Sequence, residues 1–172
     1  VYANTVVTLE AMTGMIGVAL LTGLSFARFS RPTARVIFSR VAVIAPYDGV
    51  PSLIFRTANK RGNQILEAQL RVYLMRDDVT VEGRLIRRIH DIELLRSQTP
   101  SFSLSWAAIH PINESSPLYG MTQESLIATK TTIEISLSGI DETVLQVLNA
   151  RHTYSAQQIL WNTRFVDIFH RT

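Results

Sequence analysis

The chain has 172 residues, 47% of them hydrophobic, a mean hydropathy of +0.15 and a formal net charge of +3. That length suits one domain plus a helix; the composition is too polar for a polytopic membrane protein and too weakly basic for a dedicated nucleic-acid binder. Cysteine is absent, which excludes a disulfide framework and a thiolate metal site.

The apolar excess sits at the start. No residue between Glu10 and Arg28 is charged. A run of about 17 residues makes roughly 26 Å of helix, close to the ~30 Å hydrocarbon core of a bilayer. Arg28, Arg31, Arg35 and Arg40 follow at once, whereas residues 1–27 hold no Lys or Arg. By the positive-inside rule the downstream side is cytoplasmic. A signal peptide needs basic residues before the apolar run, and here an acid, Glu10, precedes it. The first residue is Val1, inside a hydrophobic pattern, so the chain reads as part of a longer one. The expected organisation is a membrane helix over residues 1–29, a basic linker over 30–35 and a cytoplasmic domain over 36–172.

Small residues recur along the helix at Gly14, Gly17, Ala19, Gly23 and Ala27. Such residues let helices approach closely in lipid, and Gly14 and Gly23 are candidate hinge points. Val18, Thr22 and Phe26 are spaced by four and share one face. If several copies surround an axis, a ring of Phe26 side chains makes an apolar constriction that can gate ions by dewetting. The simpler alternative is that Phe26 faces lipid or a neighbouring helix. Arg28, Arg31 and Arg35 fall at headgroup level, where each positive charge attracts anionic lipid by ~1 kcal/mol. They also set topology, and Pro32 stops the helix.

After Pro32 the pattern alternates. Strands are predicted over Val36–Ala45, Ser52–Ala58 and Gln64–Met75, with turns at Pro46–Gly49 and Arg76–Asp78 and a polar loop over 59–63. In the third strand Leu66, Ala68, Leu70, Val72 and Leu74 take one face, and Ile65, Glu67, Gln69, Arg71 and Tyr73 the other. Further strands are expected over Val79–Arg88, His90–Arg96, Phe102–Ile109, Thr131–Ser138, Val144–Tyr154 and Trp161–Ile168. Helical turns are expected at Thr122 and at Ser155, the latter with a capping box to Gln158. Short strands at ~10-residue spacing argue for an antiparallel β-sandwich.

Catalytic and metal motifs are missing. There is no Gly-rich phosphate loop, no GxSxG and no HExxH. His90, His110, His152 and His170 are not at metal-ligand spacing, and the strand neighbours His90 and Asp91 point to opposite faces. Arg151-His152 near Tyr154 is a candidate site whose simpler reading is structural. An enzyme reading has no motif behind it, and nucleic-acid binding lacks interleaved aromatic platforms.

Specific segments carry a family likeness. They are Thr8-Leu9-Glu10, Phe26 to Pro32, Phe55-Arg56, Ala58-Asn59, Glu67-Ala68, Glu82-Gly83, His90-Asp91 and Phe102 to Trp106. His110, Glu114 to Gly120, Asp141-Glu142-Thr143, Ala150-Arg151-His152 and Phe165-Val166-Asp167 complete them. In that order, across nearly the whole chain, they resemble the prokaryotic inward-rectifier potassium channels, from the inner helix to the end of the cytoplasmic domain.

The resemblance implies an inner transmembrane helix followed by an immunoglobulin-like antiparallel β-sandwich. It implies a homotetramer in the bacterial inner membrane, K⁺ as permeant ion, no cofactor and no nucleic acid, and it brings the voltage-gated class of ion transport with it. Val18, Thr22 and Phe26 match pore-facing positions, with Phe26 at the bundle crossing. Glu67 matches a carboxylate lining the cytoplasmic pore, and Ser138, Gly139 and Asp141 fall in the loop at its apex. Arg28, Arg31 and Arg35 match the linker that meets anionic lipids. Val18 stands where strong rectifiers carry an acid, so Mg²⁺ or polyamine block should be weak. Ser138 stands where relatives have a second pore carboxylate, Asn113 replaces an Asp, and Thr33 stands where some have a further basic residue. The family's outer helix, pore helix and Thr-Val-Gly-Tyr-Gly filter are not in this chain, so K⁺ selectivity is implied only. The rival readings are a membrane-anchored β-sandwich acting as a binding or sensor module, and an enzyme on the sandwich.

Overall fold

A computed structural model describes residues 2–29 and 36–165. They fall into two units, an N-terminal helix and a β-structured body beginning at residue 34, each described by itself. Arg31, Arg35 and Pro32 lie outside the described residues, and Arg28 is described in its backbone only. The strand expected over Trp161–Ile168 is not formed in its described part: the last strand ends at Trp161, and Asn162–Phe165 are irregular.

The helix, α1, spans Tyr2–Phe29. Within Tyr2–Ala27 its most apolar 18-residue stretch has a mean hydropathy of 1.6, and none of that stretch is buried within the chain, as befits a segment whose apolar surface meets lipid or other helices. Its threonines satisfy themselves. Thr8, Thr13 and Thr22 donate to the carbonyls of Asn4, Leu9 and Val18 at 2.8, 2.7 and 2.8 Å. A hydroxyl that bonds back to its own helix costs little in lipid. The helix runs unbroken through Gly14 and Gly23.

The body is a sandwich of two five-stranded sheets. Sheet A holds β1 (Val36–Phe38), β2 (Ala42–Tyr47), β3 (Val50–Asn59), β7 (Ser105–Pro111) and β10 (Ile159–Trp161). Sheet B holds β4 (Ile65–Val79), β5 (Leu85–Ile92), β6 (Gln98–Phe102), β8 (Thr132–Asp141) and β9 (Gln146–Ser155). Pairing is antiparallel except that β10 runs parallel to β2. The core between the sheets is built from Phe55, Leu70, Leu74, Trp106, Ile133, Ile135, Leu137 and Tyr154, all buried. A short helix α2 (Gln123–Ala128) is capped by Thr122 and buries Leu126.

Five expectations change, each for a tertiary reason. The strand expected over Val36–Ala45 is two, because the chain bends at Ser39. The buried Tyr154 hydroxyl donates to the Ser39 carbonyl at 2.8 Å, and the Arg56 N–H donates to Ser39 Oγ at 3.2 Å. Arg76, Asp77 and Asp78 are strand residues rather than a turn. Asp77 pairs directly across to Arg87 at 2.9 Å and Asp78 reaches Arg88 on the diagonal at 3.4 Å, so opposite charges stabilise the ladder. The reversal comes at Thr80–Arg84, where Gly83 has φ +79°, and the two strands expected over 79–96 become the single β5. The strand expected over Phe102–Ile109 breaks at Ser103-Leu104, where the chain leaves sheet B and enters sheet A. Ile65 is buried, 2% exposed, although the alternation placed it outward. A β-bulge between Leu66 and Gln69 shifts the phase of β4 there.

By contrast the Asp48-Gly49 turn is where the sequence placed it. Both residues have positive φ (49° and 80°), the backbone of a two-residue hairpin turn.

Candidate conduit wall and gate helix

On α1, Val18, Thr22 and Phe26 lie one turn apart. Phe26 is 74% exposed and Val18 65%. The Thr22 hydroxyl is tied to the Val18 carbonyl, so the face presents methyl and aromatic groups rather than a free hydroxyl. A Cβ at Gly14, Gly17 or Gly23 would meet nothing within 4 Å, so no contact inside this chain requires glycine there.

On the sandwich, the structure brings Glu67, Ser138 and Gly139 together at the bulge. β8 pairs Ile140 with Leu66 and Ser138 with Gln69, leaving Glu67 and Ala68 opposite Gly139 alone. Glu67 takes a left-handed backbone, φ 49°. That conformation costs a non-glycine residue about 1 kcal/mol and persists only where neighbours enforce it. Gly139 is the neighbour: an added Cβ would stand 2.5 Å from Ile65 Cγ2, 3.0 Å from the Leu66 carbonyl and 3.3 Å from Ala68 Cα. Only glycine lets the one extra residue of β4 close against β8. The bulge leaves Glu67 exposed, lining an open groove of about 540 Å³ with Gln69, Gln98, Thr99 and Pro100.

Asp141 is placed differently from the other apex residues. It is 3% exposed. Its carboxylate accepts from Asn63 Nδ2 at 2.8 Å, from the Thr143 N–H at 2.9 Å and from Arg61 Nη1 at 3.3 Å. Burial alone would raise its pKa; the Thr143 N–H, Asn63, the Val144 N–H and Arg61 outweigh it and hold the group below the ordinary value. The carboxylate is spent on closing the β8–β9 turn onto the 59–64 loop, and a second bond from the Glu142 N–H to the Gln64 carbonyl, 3.1 Å, reinforces the closure.

The Glu-Ser-Ser-Pro-Leu-Tyr-Gly segment, residues 114–120, is held by His110. The ring is 5% exposed. Nδ1 donates to the Glu93 carbonyl at 2.6 Å, which leaves Nε2 to accept from the Ser116 hydroxyl at 2.7 Å. Ser116 in turn accepts from the Leu118 N–H at 3.1 Å. Burial lowers the His110 pKa, against the opposing pull of Glu93. His152, beside Arg151, stacks on Phe38 (5.4 Å between centroids, 11°) and meets the edge of Tyr154 at 4.5 Å. Its role here is packing. Among the described residues no three His, Asp or Glu side chains converge as a metal site.

The family model described as the inward rectifier potassium channel C-terminal domain matches residues 36–172. The chain belongs to the inward-rectifier potassium channel family. An inward rectifier potassium channel of Paramagnetospirillum magnetotacticum, named Kirbac3.1, is 46% identical over 167 residues, covering 97% of this chain and 57% of that protein. The human inward rectifier potassium channel 4 is 33% identical over 172 residues, covering 94% of this chain and 38% of its own length. The chicken ATP-sensitive inward rectifier potassium channel 12 is 32% identical, with 94% and 39% covered. The chain therefore spans little more than half, or less, of these relatives. The family is one of ion channels, not of enzymes.

One expectation attached to the family is withdrawn. Nothing in the relatives' names supports voltage gating, and residues 2–27 of α1 carry a single charged side chain, Glu10, with no arginine array to move in the membrane field. Three contributors were invisible in the sequence. Arg61 and Asn63 read there as loop polarity, and only the closure around Asp141 shows what they hold. The bulge had no signal beyond Gly139 itself.

Proposed function

We propose that this chain is the gate-bearing helix and cytoplasmic domain of a bacterial inward-rectifier-type potassium channel, a homotetramer in the inner membrane that passes K⁺ passively and uses no cofactor. The observation that carries this is the 46% identity to an inward rectifier potassium channel across 97% of the chain, helix and sandwich together. Four copies of α1 would line the conduit with Val18 and Thr22 and close it with a ring of Phe26, where a narrow apolar constriction excludes water and with it the hydrated ion. Gly14 and Gly23 supply the hinges. Arg28, Arg31 and Arg35 meet anionic lipids, which bias gating by binding one state better than the other.

Below the membrane the bulge face of sheet B extends the conduit. Glu67 supplies its carboxylate, Ser138 and Gly139 its apex, and Asp141 keeps the apical loop closed. Val18 gives Mg²⁺ and polyamines no deep counter-charge, so rectification is weak. The deciding experiment is rubidium uptake into liposomes holding the complete gene product. Ba²⁺-sensitive uptake that Na⁺ does not share is expected. No uptake in any lipid mixture would overturn the channel reading and leave a membrane-anchored sensor sandwich.

A further inference from the structure

The register of sheet B carries two residues that the reading above does not use. β4, β8 and β9 pair so that Arg71, Ser136 and Arg151 form one row across the sheet, and the adjacent row is Gln69, Ser138 and Asn149. Residues opposed in an antiparallel ladder point to the same face. Their strand neighbours Leu70, Val72, Ile135 and Leu137 are buried toward the core, so this row faces outward with Ser138. Neighbouring strands lie about 4.8 Å apart, which sets the two arginine Cα atoms about 10 Å apart with Ser136 between them.

Both arginines are exposed. Arg71 donates to the neutral Gln69 Oε1 at 3.2 Å. Among the described residues the ion pairs engage Arg61, Arg87, Arg88 and Lys130, and neither Arg71 nor Arg151 has a carboxylate within reach. Glu134 lies one row farther, between Tyr73 and Thr153.

We propose that Arg71 and Arg151 are specificity-determining residues: with Ser136 they form a basic band beside Ser138 that repels cations and attracts anions, opposing the Glu67 carboxylate. This rests on the reading that the outward face of sheet B walls the conduit. One row along a strand is about 7 Å, inside the ~8 Å Debye length at physiological salt, so the band's field reaches Ser138 and overlaps that of Glu67. Four copies place two guanidinium rings next to the uncharged Ser138 apex. Multivalent cations lose most, because their attraction scales with charge. The band is thus a second cause of weak block, independent of Val18.

The chain has no cysteine, so Ser136→Cys supplies a single thiol in the 172-residue chain held in detergent. Its modification is followed with an anionic methanethiosulfonate (ethylsulfonate) and a cationic one (ethyltrimethylammonium), each relative to free cysteine. The anionic reagent should be favoured by about ten-fold at low salt, by about three-fold once R71Q or R151Q is added, and by almost nothing in 1 M salt. No preference for the anionic reagent, or a preference that both arginine replacements leave unchanged, overturns the band. This readout needs no conduction. In the complete channel, R151Q should raise Ba²⁺-sensitive rubidium uptake two- to five-fold at low ionic strength and leave it unchanged when N-methylglucamine chloride screens the wall. A thiol that reports the band while R151Q uptake equals wild type would overturn its place on the conduit wall. A wild type with no Ba²⁺-sensitive uptake would overturn the channel reading instead.

Discussion

Gly139 shows how one missing methyl group decides the position of a charged side chain, Glu67, on the neighbouring strand. Its Cα faces Ile65 and the backbone of Leu66 and Ala68 too closely for any Cβ. Gly139→Ala must therefore push the bulge off β8, at a cost of about 1–3 kcal/mol for a forced overpacking. The loss is read as a lowered denaturation midpoint; an unchanged midpoint would mean that β4 yields freely. His110 makes a different prediction. Burial lowers its pKa in the fold, so the unfolded chain binds the extra proton first as the solution is acidified. The stability that neutral His110 contributes is complete above the unfolded value of about 6.5 and is lost as the pH falls toward the lower folded value. His90 and His152 are shifted in the same direction, mainly by burial, and add to the acid slope. His110→Gln should flatten stability against pH below about 6.5 without abolishing the slope, as chemical denaturation at several pH values would show.

At the scale of elements, the helix and the apical turn are the parts on which gating would act. The α1 face of Val18, Thr22 and Phe26 has its one hydroxyl bonded back to the helix, so this face is apolar and its largest group is Phe26, as the proposed gate requires. Phe26→Ala removes most of that surface. It should raise rubidium flux through the complete channel several-fold at equal protein, and equal flux would remove Phe26 as the gate. The apical turn is held by charge-assisted bonds to Asp141, each contributing about 1.5–3 kcal/mol. Asn63→Ala removes one donor from a buried carboxylate and should loosen residues 141–145, detectable as faster amide exchange there while the β4–β8 ladder stays protected.

At the scale of the whole molecule, the sandwich distributes charge unevenly over one face of sheet B, with Glu67 at the bulge, serines at its centre and Arg71 and Arg151 across the next row. A tetramer built around that face would draw multivalent cations weakly, and the neutral Val18 adds no deeper site. Val18→Asp in the complete channel should steepen polyamine block, because a ring of carboxylates in low dielectric holds a polycation far better than one in water. Current–voltage curves unchanged by that substitution would separate block from the inner helix altogether.

The apolar run between Glu10 and Arg28, its one-sided arginines and the turn at Asp48-Gly49 are legible from the sequence alone, because each rests on residues within a few positions of one another. The strand-rich pattern after Pro32 and the ordered motifs from Thr8 to Asp167 likewise sufficed for a sandwich and its family. What only the tertiary structure decided depends on register between distant segments. Asp77 and Asp78 look like a turn until Arg87 stands opposite Asp77 and Arg88 meets Asp78 on the diagonal. Ile65 looks exposed until Gly139 admits a bulge. Asp141 looks like a pore carboxylate until Arg61 and Asn63, some 80 residues earlier, close over it. Arg71 and Arg151 share a row only because β8 lies between their strands. Periodicity reports which face a residue takes along its own strand; which residue of another strand stands beside it is fixed by packing and backbone pairing, which local composition does not encode.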